Sequence, residues 1–170
     1  MVHLPSRLSG TAVLIVPPFG WQEVCSYRAL RTWAEALADA GHAAARLTLP
    51  GTGDSAGDAA GGADMVSDWC AAIGDAARQL QERFSPRRLV ILGIGLGGLL
   101  AVRALAGSAP VDELILWDVP SRGRTLVREM IGHSRIIAAE FPEDERDVAA
   151  GPETVELTGY GIGADTVATL

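Results

Sequence analysis

Lysine is absent: all 14 basic residues of the 170-residue chain are arginine. That excludes a Schiff-base lysine, a Walker lysine and a Ser-Lys dyad. Cysteine is scarce. Cys25 and Cys70 have no framework spacing, so reduced thiols in the cytoplasm are expected, with no disulfide scaffold. Excess positive charge is missing too. A net charge of -7 and a pI near 4.9 argue against nucleic acid and anionic membrane as partners. No apolar run reaches the roughly 18 residues of a membrane span. The segment Met1-Val2-His3-Leu4-Pro5-Ser6-Arg7 lacks the apolar core of a signal peptide, so a cytoplasmic location is expected. Neither a metal nor a cofactor is expected.

What is present is the composition of one globular domain. Apolar residues make up 48% of the chain and charged residues 21%, enough to bury a core and too apolar for disorder. The most informative stretch runs from Arg87 to Gly107. A short apolar run rich in β-branched residues, Leu89 to Leu92, reads as a strand buried on both faces. Gly93, Gly95, Gly97 and Gly98 follow. The helical spacing of Leu99, Val102, Leu105 and Ala106 then ends at Gly107. A tight turn at the carboxyl end of a parallel strand is where open α/β sheets place ligands and nucleophiles.

Two motifs overlap on that turn. Gly93-Ile94-Gly95-Leu96-Gly97 has the spacing of the nucleophile elbow G-x-S-x-G, with Gly95 in the serine's place. Gly93-Ile94-Gly95-Leu96-Gly97-Gly98 also fits the dinucleotide fingerprint G-x-G-x-x-G. Asp118 lies about 20 residues on, after a further apolar strand, as that fingerprint requires.

The rest of the chain alternates strands with helices. Thr11–Val16 reads as a strand ended by Pro17-Pro18. Ser26 is expected to cap a helix with Leu30, Trp33, Ala34 and Leu37 on its apolar face, closed by Gly41. Ala44–Leu49 reads as a strand running into a polar glycine loop, Pro50 to Asp58. Asp64 is expected to cap a helix marked by Met65, Trp69, Ile73, Ala76, Leu80 and Phe84, which Ser85-Pro86 ends. Glu113–Trp117 reads as a strand. Beyond it a helix from Thr125 to Ala139, a solvated acidic stretch from Glu140 to Asp147, a short strand at Val155–Leu157, a turn at Gly159–Gly163 and a helix from Ala164 are expected. The expected architecture is α/β, a mostly parallel sheet with helices on both faces.

Four of these stretches carry a family resemblance. They are Val16-Pro17-Pro18-Phe19-Gly20, Tyr27-Arg28-Ala29-Leu30, the loop Leu49 to Asp58, and Leu116-Trp117-Asp118-Val119-Pro120 with Gly123-Arg124. With them the chain resembles the α/β-hydrolase superfamily, within it the serine aminopeptidase-like and exosortase-associated hydrolases. The loop Leu49 to Asp58 is the most specific match. The resemblance implies a truncated α/β-hydrolase fold: a core over residues 1–124, a lid-like extension over 125–170, and the usual acid and histidine beyond it. It implies an oxyanion hole from the backbone N–H groups of Phe19 and Leu96, and places Asp118 where some members keep their acid.

The chemistry expected from such a site is incomplete. A serine hydrolase needs a nucleophile, a base and a group that orients the base. Gly95 has no side chain, although glycine suits the strained backbone of an elbow. His3 is expected in a frayed terminus, His42 at a helix end on the wrong edge of the sheet, and His133 in the lid helix. Ser55 and Cys70 are off the elbow. The expectation is a non-catalytic hydrolase-like subunit that binds a small acyl ligand, or one half of a split serine hydrolase for ester, thioester or amide bonds. The alternatives are a partner-dependent or formerly active acyl hydrolase, its serine replaced, and a dinucleotide binder using Gly93, Gly95, Gly98 and Asp118. A sheet ending near residue 116 leaves an edge to cover, so a homo-oligomer or a second hydrolase-like chain is the expected partner.

Overall fold

The computed structural model describes residues 1–59, 64–107, 110–140, 154–157 and 160–170. Its centre is a five-stranded sheet. Strands β1 (Val2–His3), β2 (Thr11–Val16), β3 (Ala43–Arg46), β4 (Arg88–Ile94) and β5 (Glu113–Trp117) lie in the order β1-β3-β2-β4-β5. The pairs β3·β2, β2·β4 and β4·β5 are parallel, and β1 joins β3 antiparallel. Each parallel pair therefore needs a helical crossover. Helices α1 (Trp21–Asp39), α2 (Val66–Phe84) and α3 (Leu96–Leu105) supply them.

The strands are apolar on both sides because both sides are covered. Leu30 and Ala34 of α1 pack on Val13, Ile15, Ala44 and Val90. On the other face Trp69, Ile73 and Ala77 of α2 and Leu100 and Ala101 of α3 pack on Ala12, Leu14, Leu89 and Ile91, all close to fully buried. The fold is thus the α/β sheet expected, with helices on both faces. Helix α4 (Gly123–Glu140), the antiparallel hairpin of β6 (Thr154–Leu157) and β7 (Tyr160–Gly163), and α5 (Ala164–Thr169) follow. Leu126, Val127, Met130, Leu157 and Ile162 join the same core cluster as α2 and α3. The Thr166 hydroxyl accepts from the Met65 N–H at 2.9 Å, so α5 is tied to the start of α2.

Several local expectations are corrected. Helix α1 begins five residues before Ser26, after Gly20, whose φ of 66° and ψ of -136° are easy only for glycine. Ser26 is inside the helix, and its hydroxyl donates to the Gln22 carbonyl at 2.6 Å. β3 stops at Arg46 because Leu47 to Leu49 leave the ladder for the glycine loop. Tyr160–Gly163 is a strand, since β6 gives it a partner in register, Val155 opposite Ile162. His3 is not in a frayed end: it pairs with Ala44 in β1, and its Nε2 is buried. Asp64 does accept from an amide of the first turn, the Val66 N–H at 2.9 Å. The acidic stretch beyond Glu140 and Gly159 lie outside the described residues.

β5 is the last strand of the sheet on its side. Ile115, Leu116 and Trp117 are about half exposed (47%, 47% and 56%), although they alternate between the sheet's two faces. Among the described residues neither face of β5 is covered as those of β2 and β4 are. Trp117 meets Trp33 of α1, ring centroids 5.3 Å apart.

Candidate functional site

The glycine turn stands at the carboxyl end of β4, the strand flanked by β2 and β5. Gly95 leaves the strand with φ 52° and ψ -124°. That backbone region costs an L-residue of order 1–3 kcal/mol and is mostly glycine's. The Gly95 N–H donates to the Trp117 carbonyl at 3.0 Å, so the residue is still tied to β5, and its own carbonyl accepts from the Gly98 N–H at 3.1 Å. Helix α3 starts immediately, at Leu96.

The neighbouring glycines are required by contact. A Cβ on Gly93 would lie 2.6 Å from the Gly98 Cα, and one on Gly97 would lie 2.7 Å from the Val16 carbonyl oxygen. The N-terminus of α3 is therefore packed backbone to backbone on the end of β2, where the loop Pro17 to Gly20 begins. Leu96 and Phe19 are both buried, each 2% exposed. Leu96, as first residue of α3, has an N–H that the helix itself cannot satisfy. Phe19 fixes its loop by its ring, 5.6 Å from Trp69 and 6.2 Å from Tyr160. Trp69 in turn donates from Nε1 to the Pro50 carbonyl at 2.8 Å, which ties the glycine loop to the same cluster.

Asp118 follows β5 directly, and the register Ile94 opposite Trp117 sets it beside the turn at Gly95. It is exposed and has φ 51°, an outlier that aspartate tolerates better than most residues. Among the described residues its carboxylate forms no ion pair. The turn, the Phe19 loop and Asp118 are thus brought together at the carboxyl ends of β2, β4 and β5.

The histidines are not brought there. His3 lies on β1, with β3 and β2 between it and β4. Burial lowers its pKa, with Arg46 adding to the effect. His42 is at the opposite, amino end of β3, 2.8 Å from the Ser9 hydroxyl. His133 is exposed on α4. Burial also raises the pKa of the Cys70 thiol, whose Sγ lies 3.7 Å from the Leu100 carbonyl, so it is a poor nucleophile at neutral pH. Among the described residues no cluster of three His, Cys, Asp or Glu side chains could hold a metal.

Sequence reasoning missed Gln22, and it named the Pro18 loop without setting it against position 95. A Cβ at position 95 would lie 3.3 Å from Gln22 Oε1 and 3.3 Å from the Pro18 Cβ. Any side chain at 95 would point at these two groups. The only sequence signal is that Gln22 falls in the first turn of the helix after the Pro17-Pro18 loop. Two surface cavities lie elsewhere. One, of about 480 Å³, is lined by Arg122, Arg124, Arg128 and Leu170. The other, of about 230 Å³, is lined by Glu23, Tyr27, Arg46 and Asp54 among others. Gly95 lines neither.

No protein-family model and no curated protein matches the sequence. Solved structures do resemble its fold. Est1E from Butyrivibrio proteoclasticus, solved with ferulic acid bound, has a TM-score of 0.61 at 18% identity over 99% of this chain and 64% of its own. An esterase of Pyrococcus furiosus gives 0.58 at 17% identity over 79% of this chain and 49% of its own. A thermostable carboxyl esterase of Bacillus coagulans gives 0.57 at 18% identity over 86% and 47%. This chain therefore spans about half to two thirds of the length of these enzymes. No candidate helix among the described residues is long and apolar enough to cross a membrane. Identities this low speak to architecture alone, and the architecture that this chain shares with those esterases is the α/β-hydrolase fold.

Proposed function

We propose that this chain is a hydrolase-fold subunit that binds instead of cleaving, its elbow kept and its nucleophile absent. One observation carries the reading. Gly95 holds the strained elbow backbone, with φ 52° and ψ -124°, at the end of the central strand, yet offers no atom that could attack a carbonyl. The N–H groups of Leu96 and of the Phe19 loop are the groups that would hold a ligand carbonyl or carboxylate there. The ligand expected is a small acyl compound. The bare edge at Ile115, Leu116 and Trp117 supports a partner that covers β5, either a second copy or a second hydrolase-like chain. Such a chain would supply a base, and the assembly would then be a split hydrolase of ester, thioester or amide bonds.

The test is covalent labelling of Gly95→Ser by a fluorophosphonate, alone and in the complex purified from the natural source. Labelling of the variant only in the complex supports the split site. No labelling in either state leaves the binding subunit. Turnover of acyl esters by the unmutated chain alone would overturn both.

A second reading has one observation in its favour. Asp118 ends the parallel strand next to β4, where the G-x-G-x-x-G fingerprint needs its acid. A dinucleotide binder would gain melting temperature with NAD or FAD. The hydrolase-fold reading expects no shift.

A further inference from the structure

The cleft of about 230 Å³ lies on the α1 face of the sheet, and Gly95 is not among the residues that line it. Its floor is apolar, made by Ile15, Pro17 and Leu30. Arg46, the last residue of β3, lines it and is only 9% exposed. The Tyr27 ring covers the guanidinium, 4.9 Å from centroid to Cζ, and Nη2 donates to the Met1 thioether at 3.1 Å. Its Nε is buried with no partner, and among the described residues the guanidinium forms no ion pair. A buried donor without an acceptor is costly, and more so when it is charged.

Two carboxylates, Glu23 and Asp54, line the same cleft. Neither lies within ion-pair distance of Arg46, so opposite charges share one small space without meeting. Burial pushes the Glu23 carboxyl pKa up, as expected of an acid that has lost water and gained no cation. A plain carboxylate ligand would satisfy Arg46 but face two acids. A plain amine would do the reverse. A molecule carrying both charges on a short apolar body satisfies both ends. The cleft is smaller than the roughly 300–1,000 Å³ of sites for drug-sized ligands, so the molecule is small.

We propose that this cleft binds a small zwitterion of the amino-acid class, its carboxylate on Arg46, its ammonium toward Glu23 and Asp54, and its side chain on Ile15 and Leu30. This goes beyond the reading of the turn at Gly95 and does not depend on it. Labelling at position 95 has no bearing on it.

The test is calorimetric titration of the full chain with L-leucine, 4-methylpentanoate and isoamylamine, which remove first neither, then one, then the other charge. L-leucine is expected to bind at least about tenfold more tightly than either analogue, and Arg46→Gln to weaken it by a similar factor. Glu23→Gln should weaken L-leucine and leave 4-methylpentanoate no weaker. Should Arg46→Gln fail to fold, the Arg46 Nε–H resonance of the unmutated protein serves instead, and it must shift as L-leucine is added. No binding of L-leucine, equal binding of an analogue, or an unmoved Arg46 signal overturns the proposal.

Discussion

Gly97 touches the end of β2 so closely that a Cβ on it would sit 2.7 Å from the carbonyl oxygen of Val16. Backbone meets backbone there, and neither side can turn away as a flexible side chain would. The first turn of α3 and the loop that begins at Pro17 are therefore held as one rigid unit, with Gly95 at its tip. Gly97→Ala is expected to destabilise the chain by at least about 3 kcal/mol, the upper end of overpacking costs. Gly132, in α4, is the control. A Cβ there meets nothing within 4 Å, so Gly132→Ala should stabilise by about 0.5–1 kcal/mol. Urea unfolding of the two variants checks both signs.

Gly95→Ser should fold. Its Cβ would meet Pro18 and Gln22 at 3.3 Å, a tight fit against a ring carbon and the end of an exposed side chain. The cost comes from backbone strain at φ 52°, about 1–3 kcal/mol. A midpoint shift in denaturant of that size, with an unchanged slope, is the expected result. A loss beyond it would mean that the space at 95 is already needed by Gln22.

Trp69 links three parts of the site region, meeting the Phe19 ring at a tilt of 45°, hydrogen-bonding Pro50 and packing in α2 with no exposed surface. Trp69→Phe keeps most of the packing but orphans the Pro50 carbonyl, for a cost of about 1–3 kcal/mol. Trp69→Ala opens a cavity as well and should cost about 3–5 kcal/mol. Protease nicking within the loop Pro50 to Asp58 should rise in both variants, because that loop loses its anchor.

The two thiols should separate cleanly. Cys25 is exposed on α1, and Cys70 is partly buried with its pKa raised by burial. Iodoacetamide near neutral pH is expected to modify Cys25 in the folded chain and Cys70 only after unfolding. Mass spectrometry of the peptides reads this directly. Rapid alkylation of Cys70 in the folded chain would mean that α2 opens away from α3.

The centre of the core was legible because β2 and β4 carry unbroken apolar runs and α1, α2 and α3 have clear stops. Glu113–Trp117 is a strand over its expected span, and α2 ends at the expected Ser85-Pro86 boundary, with Ser85 in a left-handed conformation that the sequence does not suggest. Ser26 misled because a hydroxyl near a helix start resembles a cap, while Gly20 did the work through its positive φ, which composition does not reveal. Gly159–Gly163 looked like a turn because three glycines in five residues do. Pairing with β6 is a tertiary fact, and local sequence cannot carry it. The elbow was legible as spacing, but Gln22 opposite Gly95 and the unpartnered Arg46 were not. Both depend on segments far apart in sequence that the sheet brings together.

Glu23 makes a prediction whose sign follows from its position. Burial raises its carboxyl pKa above the ordinary 4.5, so the folded chain holds that proton over a pH range where the unfolded chain has released it. Where the folded state binds more protons than the unfolded, stability falls as pH rises. The contribution of Glu23 is therefore most favourable below about pH 4.5 and declines as pH climbs from there through the raised folded value. Arg46, the Met1 ammonium, Asp54 and Tyr27 share the cleft, and either cation would oppose this shift within ion-pair distance of Glu23, which among the described residues neither reaches. Glu23→Gln removes the ionisation and leaves the shape nearly unchanged. It should be more stable than the unmutated chain near neutral pH, with the difference vanishing in acid. Denaturant unfolding at both pH values checks this. A variant less stable at neutral pH would mean that the Glu23 carboxylate is paired in solution with a cation, Arg46 and the Met1 ammonium being the candidates at the cleft.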